Sequence, residues 1–437
     1  MISIEEFSKR RNTLFSKLDN NSIVLLSGAP EVIRNNDCHY SYRQDSDFYY
    51  LTGFEEPQAF LALIKKDEQH QFILFNREKN YQEELWEGLR AGQPGAMQHY
   101  GADVALPISE LQSKLPELLK NIETVYYKIG NDPLIDKNLP DWISQLKKQV
   151  RKGIVAPNHI ADISEHLSEM RLLKSAAEVE VIREICELSA KAHCKAMQAA
   201  PSCQYEYQLL AEMEHTFKMN GCKELAYGAI VAAGKNACIL HYTANNQAIA
   251  EDDLILIDVG GELQNYAADI TRTFPKSGKF SAEQRAIYEI VLEAQKAGID
   301  IIKPGLPWPD VQTLMVRIIT EGLISIGLLS GSLDENIEQK KYFDFYMHNS
   351  GHWLGLDVHD CGQYKINNQW RPLEAGMLLT VEPGIYIADH HPVDPKWHNI
   401  GVRIEDDILV TATGHENLTA DVPKEIAEIE ALMQPTV

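Results

Sequence analysis

The chain has 437 residues, of which 44% are hydrophobic and 24% charged, and no apolar run approaches the roughly 20 residues needed to cross a bilayer. This composition argues against membrane insertion and predicts a globular protein of two domains. The formal net charge of -22 disfavours a nucleic-acid partner, because the protein would repel a phosphate backbone.

The cysteines and the N-terminus bear on the compartment. Seven cysteines are scattered without a C-x-x-C pair, and their odd number fits reduced thiols better than a disulfide framework. Residues 1–11 lack the basic segment and apolar core of a signal peptide. We therefore expect a cytoplasmic protein.

Strand and helix patterns are mixed in the first 170 residues, which indicates an N-terminal α/β domain over 1–170. Strand-like runs lie at 22–27, 59–64 and 71–75, and helical stretches near 4–19 and 108–122.

A second domain is expected over 171–437. Ser175 and Glu178 form a capping box that opens a long amphipathic helix, and a second helix is predicted at 207–219.

The same plan recurs later in the chain. Ser281 and Gln284 cap another helix, and its partner helix is predicted at 309–326. We infer two α/β halves that face each other across a cleft.

Five side chains of metal-ligand type lie in three stretches of this second domain: Asp258, Asp269, His352, Glu382 and Glu405. The first two lie in strand-like runs on either side of a polar tip near 263–265, so a hairpin would set them roughly opposite each other. Two carboxylates about 5 Å apart repel by roughly 3 kcal/mol at an effective dielectric near 20, and a bound cation would relieve that repulsion.

Glu382 and Glu405 each end an apolar, strand-like run. Four carboxylates and one imidazole carry four negative charges, which two divalent cations would balance. The oxygen-rich ligand set suits Mn²⁺, and the single His352 also admits Co²⁺, Fe²⁺ or Zn²⁺. The sequence therefore predicts a two-metal hydrolase site.

At these residues the chain resembles the pita-bread metallopeptidases, and within them the bacterial Xaa-Pro aminopeptidase (aminopeptidase P) family. The matching segments, in the family's order, are YRQDSDFYYLTGF at 42–54, ILHYT at 239–243, the hairpin at 254–274, HNSGHWLGLDVHD at 348–360, TVEPG at 380–384 and RIEDD at 403–407. One departure is Asn349-Ser350, where the family more often has glycine followed by an apolar residue.

The resemblance implies a creatinase-like N-terminal α/β domain followed by a pseudo-twofold pita-bread catalytic domain. It also implies hydrolysis of the N-terminal Xaa-Pro peptide bond by a hydroxide that bridges two metal ions. Asp269 and Glu405 would bridge the ions, and Asp258 would hold one of them. His352 and Glu382 would hold the other, with Glu382 also acting as proton shuttle.

The resemblance further assigns substrate contacts. His241 and His359 would stabilise the carbonyl oxygen as it gains charge, and His348 would flank the proline ring. Further pocket members would be Tyr227, Tyr386 and Arg403. Each of these residues also has an ordinary structural interpretation, as a packed or surface side chain.

Two N-terminal residues, Trp86 and Asp37, would approach an active site, either their own or that of a neighbouring subunit in a dimer or tetramer. Trp308 and the DHH run at 389–391 are interpreted as loop features without a role.

Two other functions remain open. A prolidase would use the same ligands on Xaa-Pro dipeptides, and some pita-bread proteins are non-catalytic binding modules. Because all five ligand positions hold coordinating residues, the binding module is disfavoured. The large N-terminal domain disfavours a methionine aminopeptidase.

Overall fold

The computed structural model describes residues 2–434. Contacts along the chain divide it into two compact units, with the division between Arg171 and Leu172. Among the described residues, none of the helices is long and apolar enough to cross a membrane.

The N-terminal unit contains one large sheet with helices around it. Its helices are α1 (Ile4–Lys17), α2 (Ser46–Thr52), α3 (Tyr81–Glu87), α4 (Gly92–Tyr100), α5 (Leu111–Leu118), α6 (Pro133–Lys147) and α7 (Ser164–Leu172). Its strands are β1 (Ser22–Ser27), β2 (Ile33–Asn35), β3 (Cys38–His39), β4 (Phe60–Lys66), β5 (Gln69–Asn76), β6 (Val104–Pro107), β7 (Thr124–Tyr127) and β8 (His159–Asp162).

Six of these strands form a mixed sheet in the order β6-β5-β4-β1-β7-β8. The pairs β1–β4 and β4–β5 are antiparallel, and the remaining pairs are parallel. The strand-like runs predicted at 22–27, 59–64 and 71–75 are confirmed as its central strands. Their apolar residues are buried because α5 and α6 pack on them, with Leu115 and Ile135 in the same hydrophobic core as Ile23.

The C-terminal unit carries the remaining elements. Its helices are α8 (Ala176–Ala199), α9 (Glu206–Met219), α10 (Ala282–Asp300), α11 (Trp308–Ser325), α12 (Leu333–Glu338) and α13 (Ile426–Leu432). Its strands are β9 (Glu224–Leu225), β10 (Ile230–Ala233), β11 (Leu254–Asp258), β12 (Gly261–Leu263), β13 (Tyr266–Ala267), β14 (Thr271–Pro275), β15 (Lys365–Ile366), β16 (Gln369–Trp370), β17 (Leu378–Val381), β18 (Gly384–Ile387), β19 (Ile400–Arg403), β20 (Asp406–Val410) and β21 (His415–Asn417).

Both predicted capping boxes are confirmed. Ser175 accepts from the backbone N–H of Glu178 at the start of α8, and Ser281 does the same for Gln284 at the start of α10. In each box the longer side chain returns to the N–H of the serine, so two otherwise unpaired donors are satisfied.

The helices form two pairs, α8 with α9 and α10 with α11, and strands of each half pack beneath them. The sheets are β10-β11-β14, β9-β12-β13, β17-β20-β21 and β18-β19. Strand β14 lies beside β19 and the residues that follow it. The N–H of Arg403 donates to Thr273 Oγ1 at 3.2 Å, and that of Glu405 donates to Thr271 O at 3.0 Å. This junction brings the ends of strands from both halves to one place.

Candidate metal centre and active site

The predicted hairpin exists, with a register that differs from the expected one. Strand β11 pairs antiparallel with β14 so that Asp258 lies opposite Thr271 rather than Asp269. The turn is formed by Gln264 and Asn265, whose φ angles of 49° and 63° suit a tight two-residue turn. That turn sets the register. Asp258 therefore pairs with a residue two positions after Asp269 and not with Asp269 itself.

Asp258 and Asp269 nevertheless meet. Asp269 lies two residues before Thr271 and therefore on the same face of the hairpin as Asp258. The hydroxyl oxygen of Tyr227 lies 2.6 Å from Oδ1 of both aspartates, and its one hydrogen can serve only one of them at a time. The two carboxylates thus compete for one donor.

A glycine permits this close approach. A Cβ atom placed on Gly260 would lie 1.6 Å from the carbonyl oxygen of Ala268, well inside contact distance. Only glycine lets the two hairpin arms approach so closely between Asp258 and Asp269.

The other three predicted ligands come from the second half. The Nε2 atom of His352 lies 3.4 Å from Asp269 Oδ2 and 3.7 Å from Glu382 Oε1. Asp269, His352 and Glu405 each offer one ligand atom, and these atoms lie within 4.8 Å of one another. All five predicted ligands line one cavity of about 930 Å³.

Neighbouring groups orient these side chains. Nδ1 of His352 donates to the carbonyl oxygen of Trp353 at 3.0 Å, so Nε2 faces the carboxylates. Glu405 Oε2 accepts a hydrogen bond of 2.6 Å from Thr271 Oγ1, and Asp258 Oδ2 accepts one of 2.6 Å from Arg403 Nη2. Each partner leaves one carboxylate oxygen for another contact.

The electrostatics of the cluster fit a metal site. Burial raises the pKa of Glu405 well above its usual range, and repulsion from Asp269, Glu382 and Asp258 raises it further. Burial likewise raises the pKa of Asp269 and that of Glu382, the latter to about 7. Buried carboxylates at this density do not all ionise unless a cation compensates them. The donor set suits two divalent cations.

Three histidines surround the cluster. His241 and His359 are exposed at the cavity wall, and the His359 ring packs edge-on against His352 with centroids 4.3 Å apart. His348 is half-buried and lines the same cavity. The structure therefore brings all three predicted histidines to the predicted ligands.

A hydrogen-bonded chain holds His348. Arg403 Nη1 donates to the hydroxyl oxygen of Tyr386 at 3.0 Å, and that hydroxyl lies 2.9 Å from Nε2 of His348. Nδ1 of His348 donates to the carbonyl of Asn349 at 2.7 Å, so Nε2 is the acceptor. Burial, with the charge of Arg403, lowers the pKa of His348 to about 4, which keeps the ring neutral. Tyr386 thus contacts His348 and is not among the residues that line the cavity.

The two predicted contributors from the N-terminal unit are both on its surface. Trp86 lies in α3 with 90% of its side chain exposed, and Asp37 lies exposed in the turn between β2 and β3. Their assignment to a substrate site stays a prediction.

Sequence reasoning missed part of the cavity wall. Trp308 was expected in a loop, but it is the first residue of α11 and packs on Trp353 at 4.4 Å and on Tyr364 at 4.7 Å between ring centroids. Proline at the second helical position marks a helix start, and helical spacing places Gln312 on the same face as Trp308. Those two signals could have identified both residues. Tyr364 and Trp370 also line the cavity.

Comparison with known proteins agrees with this geometry. The model of metallopeptidase family M24 matches residues 180–412, and that of the aminopeptidase P N-terminal domain matches residues 7–126. The Xaa-Pro aminopeptidase of Escherichia coli K12 is 45% identical over 433 residues, which are 99% of this chain and 98% of that protein. The Xaa-Pro aminopeptidase of Haemophilus influenzae is 44% identical, over 98% of this chain and 97% of that protein.

Solved structures agree as well. The structure of Pseudomonas aeruginosa aminopeptidase PepP superposes with a TM-score of 0.96 at 52% identity, over 99% of this chain and 98% of that one. Aminopeptidase P from E. coli with the inhibitor Pro-Leu gives a TM-score of 0.96 at 44% identity, with the same coverage. The chain therefore belongs to metallopeptidase family M24 and is, as its sequence predicts, a metal-dependent hydrolase.

Proposed function

We propose that this chain is an aminopeptidase that hydrolyses the bond between an N-terminal residue and a proline in second position. The observation that carries the proposal is that one imidazole and four carboxylates line a single cavity. Support comes from the 45% identity to the Xaa-Pro aminopeptidase of E. coli and from the similar E. coli enzyme solved with Pro-Leu.

The metal site would hold two divalent cations, with Mn²⁺ the first choice. Asp269 and Glu405 would serve both ions, Asp258 one, and His352 with Glu382 the other. When bound, such cations polarise a peptide carbonyl and bring the pKa of water toward neutrality.

Glu382 would move the proton. Its carboxyl group lines the cavity with Oε1 3.7 Å from Nε2 of His352, where it would be within reach of water on the cations. A carboxyl oxygen of Glu382 would accept the proton of the attacking water and deliver it to the nitrogen of the departing proline.

The histidines would bind the substrate. His241 and His359, exposed at the cavity wall, would donate hydrogen bonds to the carbonyl oxygen as charge develops on it. An Xaa-Pro bond has no N–H, so a protein cannot grip it through that donor. His348, held neutral by Tyr386 and Asn349, would instead present its ring to the proline.

A cleavage panel tests this function. Metal-free protein reloaded with Mn²⁺, Co²⁺ or Zn²⁺ should cleave Ala-Pro-Ala and leave Ala-Ala-Ala intact. Faster cleavage of Ala-Pro than of Ala-Pro-Ala would instead assign a prolidase, which binds the free proline carboxylate. No cleavage of either peptide with any metal would contradict the proposal.

We also propose that the chain forms a homo-oligomer through its N-terminal unit. Large apolar side chains are exposed there, and a surface of this kind is typical of an interface. They are Val32, Ile33, Tyr40, Tyr81, Leu85, Trp86 and Leu89. Light scattering should give a dimer or tetramer, and Leu89→Ser should shift it toward monomer.

Trp86 and Asp37 would then contribute to a substrate site. Trp86→Ala should raise KM without changing metal content, and unchanged kinetics would contradict that role. The cytoplasmic location stays a prediction, which rests on the scattered, odd number of seven cysteines.

A further inference from the structure

One cavity side chain is held in a fixed orientation by the loop that carries the metal-ligand histidine. Gln312 of α11 accepts a hydrogen bond of 2.6 Å at Oε1 from the backbone N–H of Ser350. The hydroxyl of Ser350 donates to the same Oε1. Because both donors require an acceptor, the carboxamide cannot be rotated to put nitrogen at this position.

A buried tyrosine completes the arrangement. Since the hydroxyl of Ser350 donates to Gln312, its oxygen accepts from the hydroxyl of Tyr346. Ser350 and Tyr346 are only 4% and 1% exposed, so these bonds are shielded from water. The chain Tyr346–Ser350–Gln312 therefore runs in one direction, from donor to acceptor.

The opposite end of the carboxamide is left for a ligand. Gln312 is half-buried and lines the cavity that holds the metal-ligand residues. A side-chain hydrogen bond also joins Gln312 to the hydroxyl oxygen of Tyr346, and it occupies one N–H of Nε2 at most. The second N–H of Nε2 thus remains for a molecule in the cavity.

The same loop ties Gln312 to the reacting groups. The carbonyl of Ser350 accepts from the backbone N–H of Glu382 at 2.9 Å, and two residues later the loop supplies His352. Gln312 and the metal-ligand residues therefore line one cavity and are connected through one loop.

The arrangement depends on the hydroxyl of Ser350. An apolar side chain at position 350 would offer no hydroxyl to Gln312 or Tyr346. The polar residue and its partner on α11 thus act together.

We propose that Gln312 is a substrate-binding residue that donates a hydrogen bond from Nε2 to a main-chain oxygen of the bound peptide. Ser350 and Tyr346 are positioning residues that hold its carboxamide. This inference rests on the proposed function, because the ligand is the peptide that the site would cleave.

The test replaces the amide and keeps its length. In Mn-loaded protein, Gln312→Met should raise KM for Ala-Pro-Ala about three- to tenfold, the range expected for one neutral hydrogen bond, while kcat changes less than about twofold. Gln339→Met is the matched control, because that glutamine is exposed and, among residues 2–434, its side chain hydrogen-bonds only to Glu335. It should leave KM and kcat at wild-type values.

A second variant separates binding from positioning. Gln312→Glu keeps the acceptor for both Ser350 bonds but removes the N–H donor, so KM should rise as in Gln312→Met. Wild-type KM in Gln312→Glu would overturn the inference, as would a loss of metal content that accounts for both variants. Ser350→Ala should give a smaller rise in KM, because the backbone N–H still holds Oε1.

The peptide's end group identifies the acceptor. If Gln312→Met raises KM equally for Ala-Pro-Ala and for its C-terminal amide, the hydrogen bond is to a peptide carbonyl. If KM rises only for the free acid, the hydrogen bond is to the terminal carboxylate. Failure of wild-type protein to cleave any Xaa-Pro peptide would overturn the proposed function and this inference together. Cleavage with unchanged KM in Gln312→Met would overturn this inference alone.

Discussion

At the scale of single residues, the carboxyl groups of the cluster differ in their charged neighbours. Burial raises the pKa of Glu382 to about 7, although His352 and Arg403 each lower it. Asp258 has an arginine partner at 2.6 Å, whereas no arginine or lysine pairs with Glu382 among the described residues. We therefore expect the paired carboxyl group of Asp258 to bind metal only, and that of Glu382 to transfer protons as well.

We expect Glu382→Gln to fold normally and to lose about 100-fold or more in kcat, because an amide cannot accept the proton and is a poorer metal ligand. His359→Ala should lower kcat by a smaller factor. Steady-state kinetics with metal content measured on the same samples checks this. A kcat within threefold of wild type at full metal content would contradict the role of Glu382.

His193 gives a prediction about pH. Burial lowers its pKa to about 4, although Nε2 donates to Val259 O at 2.8 Å, and within the described residues Nδ1 has no partner. An unfolded histidine titrates near 6.5, so between pH 6.5 and 4 the unfolded chain binds the extra proton. Above pH 6.5 the ring is neutral in both states, so His193 does not lower the free energy of unfolding. As pH falls from 6.5 toward 4, His193 lowers the free energy of unfolding progressively.

The contribution of His193 at pH 5 should be about 2 kcal/mol of destabilisation relative to pH 7.5. His193→Gln can still donate to Val259 but has no ionisable group, so its stability should depend less on pH in this range. Denaturant titrations of both proteins at the two pH values measure the difference. Identical pH dependence would contradict the assignment.

At the scale of elements, the hairpin of β11 to β14 positions the two aspartates. Its turn, Gln264 and Asn265, sets the register, and Gly260 lets the arms approach. The close contact at Ala268 is backbone rather than a movable side chain, so the hairpin has little room to adapt.

We expect Gly260→Ala to destabilise the protein by more than about 2 kcal/mol and to weaken metal binding, because the hairpin arms must separate. Gly414→Ala is the control, since a Cβ there meets nothing within 4 Å and its φ is ordinary. Thermal denaturation and metal titration of both variants check this. Normal metal binding in Gly260→Ala would contradict the role given to the close approach.

At the scale of the whole molecule, the site joins strands that belong to two halves of the C-terminal unit. Asp258 and Asp269 come from the first half, and His352, Glu382 and Glu405 from the second. The bonds between β14 and β19 join them. A cation bound here would connect the halves and relieve the repulsion among their carboxylates.

Chelation should therefore lower the melting temperature as well as abolish activity. At a free Mn²⁺ concentration 100 times its Kd, the ion should contribute about 2.7 kcal/mol to stability. Scanning calorimetry of metal-free and Mn-loaded protein checks this. Metal-free protein with full activity would contradict the two-metal site, and an unchanged melting temperature would contradict the link to stability.

Local sequence signals determined much of this protein. The capping boxes at Ser175 and Ser281 and the central strands of the N-terminal sheet depend on side chains close together in sequence. Such signals act over one helical turn or one strand, so they can be read without the fold.

Tertiary structure decided what local signals could not. The register that places Asp258 opposite Thr271 follows from backbone angles in the turn, and the polarity of Tyr346–Ser350–Gln312 follows from packing α11 against a distant loop. Trp308 was expected to be a loop feature without a role but lines the cavity. Tyr386 was expected to line the pocket but instead contacts His348 from the side away from the cavity. Sequence specifies which groups can react, but which of them face one another depends on contacts between segments far apart in the chain.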